Sequence, residues 1–331
     1  MTTAVVILNW NGKKMLESFL PSVIANTTGD AEVIIADNGS TDDSIAFLHT
    51  HYPDLRLILL DKNYGFAEGY NRALAQIDAQ YFVLLNDDVE VTPGWTQAVI
   101  DQMQRNNTAI CQPKLLMYHQ RDTFEYAGGA GGFIDKYGYP FCRGRLFTTL
   151  EKDLGQYDDA REIFWASGAA MFVRADVWRE LGGLDAEFFA HMEEIDFCWR
   201  AKNAGYTVEY CPASVVYHVG GGTLPKSNPR KTYLNFRNNL ALLYKNLPAR
   251  RLTWVMAARI VLDYVAALKF LAEKKPEEYK AVMQAHKDFR KWKPSLKARR
   301  CQNAKPVNCT LNSLLLIQYY LLRKTKFSQY K

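Results

Sequence analysis

Tyr81-Phe-Val-Leu-Leu-Asn86-Asp87-Asp88-Val-Glu90 is the stretch whose reading decides the fold. Five residues of β-forming character run straight into an amide and two carboxylates, and a turn at Thr92-Pro93-Gly94 follows. An apolar run of this length with no alternation reads as a strand buried on both faces, as in a parallel sheet. Carboxylates at the carboxyl end of such a strand stand where open α/β sheets bind ligands. Oxygen donors of this kind suit Mg²⁺ or Mn²⁺, and Mg²⁺ is commonly held by one or two carboxylates plus substrate phosphates. The alternative is that the acids cap the next helix. Thr92 and Pro93 already have the character of its N-cap and first residue, which leaves Asp87 and Asp88 for a metal–diphosphate site.

Working outward, the same unit recurs. Ala4–Asn9 reads as a first strand, turned at Trp10-Asn11-Gly12 into a helix over Lys13–Asn26 that tolerates Pro21. Glu32–Ala36 is a second strand ending on Asp37, and Ser40 with Asp43 has the spacing of a capping box. Leu55–Leu60 is a third strand, Ala67–Ile77 and Trp95–Arg105 the next helices. Strands alternating with helices of this length predict an α/β fold with a mostly parallel sheet and flanking helices. The first turn is not G-x-G-x-x-G and no Walker loop occurs, which argues against a dinucleotide fold and a P-loop NTPase.

Past Ile110 the pattern loosens. Residues 118–160 are polar, aromatic and glycine-rich, and read as an irregular region of the kind that forms substrate lids. Gly128–Gly132 is a weak phosphate loop, since no strand–helix pair brackets it. Order resumes with a strand at Ala170–Val173, a short helix to Leu181, a helix to Ala204 and apolar runs at Thr207–Cys211 and Ser214–His218, closed by Gly220–Gly222. The chain divides by charge. From Arg230 onward 23 Lys and Arg face 5 Asp and Glu, whereas the part before it carries 18 against 30. We therefore expect one part over 1–230, whose pattern changes near 110, for cations or sugars, and a helical basic region over 231–331 for something anionic. Six scattered cysteines without zinc or disulfide spacing, no basic n-region before Ala4–Leu8 and no long uncharged apolar run point to a cytoplasmic protein. No nucleic-acid motif accompanies the basic tail. Trp254, Tyr264, Phe270 and Trp292 among its lysines and arginines suit the anionic inner face of a membrane instead. Nothing in the sequence bears on oligomeric state.

Asp37 stands in the plane of Asp87 and Asp88, where its carboxylate could accept the imide N–H of a uracil or thymine ring. Helix capping by Ser40 and Asp43 leaves Asp37 unexplained. Taken in register, Asn9-Trp-Asn-Gly12, Asp37-Asn-Gly-Ser-Thr-Asp42, Asn63-x-Gly65-Phe-Ala-x-Gly-x-Asn71 and Leu-Leu-Asn-Asp87-Asp88 resemble family 2 glycosyltransferases, in particular the bacterial rhamnosyltransferase-like branch, over residues 4–245. The resemblance implies a GT-A fold, a nucleotide-diphosphate-sugar donor, a divalent metal (Mg or Mn), inversion at the anomeric carbon, and a saccharide or lipid-linked saccharide acceptor. It places Asp37 on the base, Asn9 and Asn63 in the nucleotide pocket with Asn38, Gly65 and Asn71 of the same motifs, Asp87 toward the ribose or sugar, and Asp88 on the metal. In His191-Met-Glu193-Glu194-Ile-Asp196 it places the general base on Glu194, one methylene longer than the usual Asp, with Glu193 as the fallback. A helix N-terminus also favours such acids on electrostatic grounds alone. His218 would complete the metal or diphosphate shell, Ser167 and Gly168 fall in the acceptor segment, and Arg230 and Lys231 could pair donor phosphates. Asp196 and Arg200 have the spacing of a helix-surface ion pair. The rival readings are a sugar-phosphate nucleotidyltransferase, for which the first turn lacks a basic glycine-rich loop, and a non-catalytic nucleotide-sugar or saccharide binder.

Overall fold

A computed structural model of the chain describes residues 2–220, 228–302, 304 and 306–330. Gly221 and Gly222 lie outside them. The first half follows the expected alternation: β1 (Thr3–Asn9), α1 (Lys13–Asn26), β2 (Ala31–Asp37), α2 (Ser44–His51), β3 (Arg56–Leu59), α3 (Gly65–Leu74) and β4 (Tyr81–Leu85). These four strands run parallel in the order β4-β1-β2-β3. The side-chain period of two splits each strand between faces. Val5, Ile7, Val33, Ile35, Val83 and Leu85 pack toward α1 and the helix that follows β4, while Ala4, Val6, Ile34, Phe82 and Leu84 pack toward α3 and later helices. Burial on both sides is why these strands read as unbroken apolar runs.

Two turn assignments are corrected. The chain does not pass from Asp88 directly to a helix: Val89–Val91 forms a short strand, β5, and α4 (Trp95–Asn106) starts behind Gly94, whose φ is +73°. Thr92 is not its cap, because its hydroxyl donates to Val215 O at 2.7 Å. Nor do Ser40 and Asp43 form a capping box. The Ser40 hydroxyl accepts from Asn9 and from the backbone of Asn11, and Asp42 takes the Ser44 N–H.

Beyond α4, β6 (Ile110–Met117) joins the main sheet, and residues 118–160 are more regular than expected. Four short strands, β7 (Gly132–Asp135), β8 (Pro140–Cys142), β9 (Arg145–Leu146) and β10 (Thr149–Leu150), form a small antiparallel meander. Gly132 is not part of a phosphate loop. A β-carbon there would collide with the Trp165 indole, whose N–H reaches Phe133 O at 2.9 Å. The main sheet is completed by β11 (Arg161–Glu162), β12 (Ala170–Arg174) and the bulged β13 (Val208–His218), in the order β11-β13-β6-β12-β4-β1-β2-β3, with β5 on β13. β12 is antiparallel to both neighbours.

The helices α5 (Ala175–Glu180) and α6 (Glu193–Ala204) cover one face. The basic region forms α7 (Pro229–Asn246), α8 (Ala249–Ala272) and α9 (Pro276–Ala298), then β14 (Thr310–Leu311), which pairs parallel with β7 and so adds a fifth strand to the small sheet. The Asp196–Arg200 pair forms at 2.8 Å but is not on the surface. Asp196 is fully buried, and it also accepts from Lys245 and Asn246 of α7. Burial works against its charge, but Lys245 and Arg200 outweigh that and hold its pKa at about 2.

Candidate active site

The parallel strands end level with one another. Asn9 is the register partner of Asp37, and Leu85 pairs with Ile7, so Asp87 comes level with Asn9 across the strand ends. Asn9 Nδ2 donates to Asp37 Oδ1 at 2.9 Å, and the Ser40 N–H donates to Asp37 Oδ2 at 2.9 Å. Asp37 is thus buried with both oxygens engaged. Asn38 spends its amide on the neighbouring turn, donating to Asn63 Oδ1 and Gly65 O and accepting from Tyr64 N. The role of this amide is to shape the 63–65 turn. Gly65, at φ +77°, passes against Phe189 with no room for a β-carbon. Asn71 is not among the residues brought together: its amide makes a reciprocal pair with the backbone of Leu184, at 2.8 and 2.9 Å, tying α3 to the loop before α6.

At the end of β4 the two acids differ. Asp87 is half-buried, and burial together with the charge of Asp88 pushes its pKa up to about 7. For Asp88 burial acts in the same direction, but His218 and the Gly220 N–H hold its carboxyl below the usual range. His218, at the end of β13, lies between Asp88 Oδ1 at 3.0 Å and Glu125 Oε1 at 3.4 Å. Its burial opposes a charge, yet the two carboxylates outweigh it and push the imidazole to about 10. Glu125 is a residue the sequence reading missed.

A β-carbon at Gly12 would collide with Asp87 Oδ2 and Asn9 Oδ1, so both oxygens crowd one point. Asn9 Oδ1 is buried and has no hydrogen-bond partner among the described residues. Two carboxylates and an unpartnered amide oxygen are the donors a hard cation takes. Among the described residues no three His, Cys, Asp or Glu form a ready metal cage. The set therefore fits a cation that shares its shell with diphosphate and water.

The chain enters α6 through a tight loop in which Phe189, His191 and Met192 all have positive φ, at 67°, 69° and 74°. Such backbone costs of order 1–3 kcal/mol per residue and persists only where the surroundings enforce it. The enforcing group is Asn238 of α7, whose Nδ2 lies 3.0, 2.9 and 2.7 Å from the carbonyls of Phe188, Ala190 and His191. Arg237 adds bonds to Glu187 O and Phe188 O. Arg230 stacks over the Phe189 ring, and burial plus the charge of Lys231 lowers His191 to about 4, so its imidazole is neutral at physiological pH. Glu193 and Glu194 follow, each with one buried oxygen lacking a partner among the described residues. Burial raises both carboxyls, and Glu194 raises Glu193 further. A β-carbon at Gly168 would sit 3.9 Å from Glu194 Cβ, while the next residue, Ala169, accepts from Asn86 N at 3.0 Å. The 168–169 dipeptide therefore joins the Glu193–Glu194 pair to the Asn86–Asp88 cluster. Ser167 is buried beneath it and bonds Gln112 through its backbone.

Residues 4–175 match the model of glycosyl transferase family 2. The chain belongs to that family. Among curated relatives, this family 2 glycosyltransferase is 29% identical over 230 residues to the N-acetylglucosaminyl-diphospho-decaprenol L-rhamnosyltransferase of Mycobacterium tuberculosis, covering 65% of this chain and 75% of the relative. It is 22% identical over 244 residues to a low-salt glycan biosynthesis hexosyltransferase of Haloferax volcanii, covering 71% and 73%. Among solved structures, S. aureus TarS 1-349 in complex with UDP-GlcNAc superposes with a TM-score of 0.58 at 15% identity, covering 91% of this chain and 84% of that one. GalNAc-T7 with UDP, GalNAc and Mn²⁺ gives 0.57 at 14% identity, covering 89% and 56%. These likenesses establish the GT-A architecture, and with it the fold expected from the strand-end motifs.

Proposed function

We propose that this glycosyltransferase inverts the anomeric carbon of a nucleotide-diphosphate sugar, rhamnose on dTDP or a related UDP/dTDP sugar, as it passes to a saccharide or lipid-linked saccharide acceptor. The observation that carries the reading is the span from Gly168 to Ala169, which brings a pair of raised carboxyls beside the acid-rich ends of the parallel strands. Glu194, displaced above the ordinary carboxylate range, is suited to take the acceptor hydroxyl proton near neutral pH, with Glu193 behind it. Asp88, with His218 beside it and Asp87 and Asn9 Oδ1 nearby, would hold the divalent cation. When bound, that cation offsets the charge growing on the leaving diphosphate. Asn9 and Asp37 would form the floor of the base pocket, and the Asn63–Gly65 turn its wall. Arg230 and Lys231 would neutralise donor phosphates. The decaprenol-linked acceptor in the name of the mycobacterial relative supports the lipid-linked class of acceptor.

The test is thermal unfolding with a panel of nucleotide sugars and Mn²⁺ or Mg²⁺, with and without chelator, followed by turnover with the stabilising donor. A dTDP- or UDP-sugar should raise the melting temperature only when the metal is present, and Asp88→Ala should abolish both that shift and turnover. Stabilisation unaffected by chelator would overturn the metal assignment. Donor binding without transfer or donor hydrolysis would favour the non-catalytic binder.

A further inference from the structure

Helix α8 is inside out. A surface helix of a water-soluble protein ordinarily turns its apolar stripe inward and its charges outward. Here the residues of α8 that are buried are Val255, Arg259, Asp263 and Ala267. Arg259 Nε donates to Asp263 Oδ1 at 2.7 Å, His286 of α9 lies 3.1 Å from Asp263 Oδ2, and the Arg259 guanidinium stacks 3.9 Å from the Tyr139 ring. The outward line of the helix is Trp254, Val261, Val265 and Leu268, spaced seven, four and three residues apart, with the last three each about 60% exposed. From Thr253 to Leu268 no exposed residue of α8 is charged.

A second apolar patch adjoins the first. Ile317, Tyr320, Leu321 and Leu322 are all exposed, and Lys269 at the end of the stripe reaches over the Tyr320 ring at 5.8 Å. The rim carries the exposed Lys269, Lys274, Lys275 and Arg323, with Glu273 among them, 3.3 Å from Lys269 and 2.8 Å from Lys275, so that cations outnumber the one carboxylate. Of the four aromatics that suggested membrane contact in the sequence, Trp254 lies on this face. Trp292 packs against Phe188 instead, and Tyr264 stacks on His286.

We propose that this face seats the enzyme on an anionic lipid bilayer, with the Trp254–Leu268 line and the 317–322 patch entering the headgroup boundary and the lysine and arginine rim pairing lipid phosphates. Charged groups turned inward and apolar groups turned outward is the arrangement lipid favours and water penalises. A contiguous exposed apolar patch bordered by cations marks an interaction surface, and the excess of 23 Lys and Arg over 5 Asp and Glu from residue 230 onward selects a negative partner. No helix among the described residues is long and apolar enough to cross a membrane, so α8 lies along the surface.

The proposal is independent of which sugar is transferred, and it is tested without turnover. Full-length protein is floated with phosphatidylcholine vesicles, with or without phosphatidylglycerol, at low and high salt. Binding should require phosphatidylglycerol, weaken with salt, and fall at least tenfold in Val261→Glu/Val265→Glu. Both positions are exposed, so the double variant should keep its melting temperature and its donor-induced shift. Lys274→Glu/Lys275→Glu should weaken binding to the anionic vesicles. The proposal is overturned if wild type ignores both vesicle types, or if the apolar double variant floats as wild type does. It is equally overturned if the wild type is a dimer that the double variant dissociates, with no vesicle binding, for then the stripe is covered by a second copy.

Discussion

Glu193 and Glu194 are adjacent in sequence, both open α6, and both have carboxyls raised by burial. They are separated by what lies beside them: Glu194 adjoins Gly168 at the strand-end cluster, and Glu193 is the more deeply buried of the two. Two paired variants should divide their roles. Glu194→Gln should cost roughly 10²–10⁴ in turnover while the donor still raises the melting temperature, as loss of a general base does. The acid limb of the wild-type rate should lie above the ordinary carboxylate range, since the base acts only when deprotonated. Glu193→Gln should leave turnover within a few-fold and stabilise the fold at neutral pH. The sign follows from linkage: a carboxyl whose folded pKa is raised contributes stability that is complete below its unfolded value of 4.5 and is lost as pH rises toward the folded one. The gain should therefore vanish in melting curves recorded below about pH 4.5. If instead Glu193→Gln stops turnover and Glu194→Gln does not, the base is Glu193. Residues at strand ends were legible because an apolar run stopping at Asn9, Asp37 or Asn86-Asp87-Asp88 announces itself. Glu125 was not: it sits in no period or motif, and only folding brings it to His218.

The loop from Phe188 to Met192 is the element that sets the position of the two glutamates, and it is held from α7, outside the family-model span, by the Asn238 amide together with Arg237. Asn238→Ala would leave the Ala190 and His191 carbonyls without that donor and Phe188 O with Arg237 as its remaining side-chain donor, at a cost of about 1–3 kcal/mol. The expected kinetic signature is a fall in kcat of tenfold or more with a smaller change in donor affinity, because the 63–65 turn, which we propose as a wall of the donor pocket, has its own support in Asn38. A general loosening of the fold would instead raise donor KM and lower kcat together. Asn238 was invisible in the sequence for the same reason that the Asn71 bonds to Leu184 were. An asparagine within a helical pattern gives no sign of whether its amide meets a ligand or a carbonyl of a distant loop. The turn errors have a similar origin. Thr92 and Ser40 have cap chemistry, but each hydroxyl found a stronger engagement across the sheet, with Val215 O and with Asn9 and Asn11.

At the scale of the molecule, the basic helices and the residues before them are fastened at several points. Lys245 bridges Asp185 and Asp196, Arg299 pairs with Asp185 and Glu187, and Asn246 bonds Asp196. β14 then closes the small sheet that the sequence presented as irregular, and Leu315 N donates to Asp135 Oδ2 just beyond it. The small sheet was illegible because its strands are two to four residues long and draw one partner from the far end of the chain. A chain ending at Ala298 should consequently lose solubility as well as turnover. One ending just before Phe327 keeps β14 but loses the Phe327 ring from beside Phe133, Phe141 and Tyr157 and its N–H bond to Glu151. It should stay monodisperse while melting lower; sizing and melting curves distinguish the two. The pairing of β7 with β14 also sets a clock on biosynthesis. A ribosome adding about 5–20 residues per second leaves the edge of β7 bare for on the order of ten to thirty seconds before its partner is even made. Throughout that interval the nascent chain presents an open strand, and an open strand is what chaperones bind and aggregates recruit.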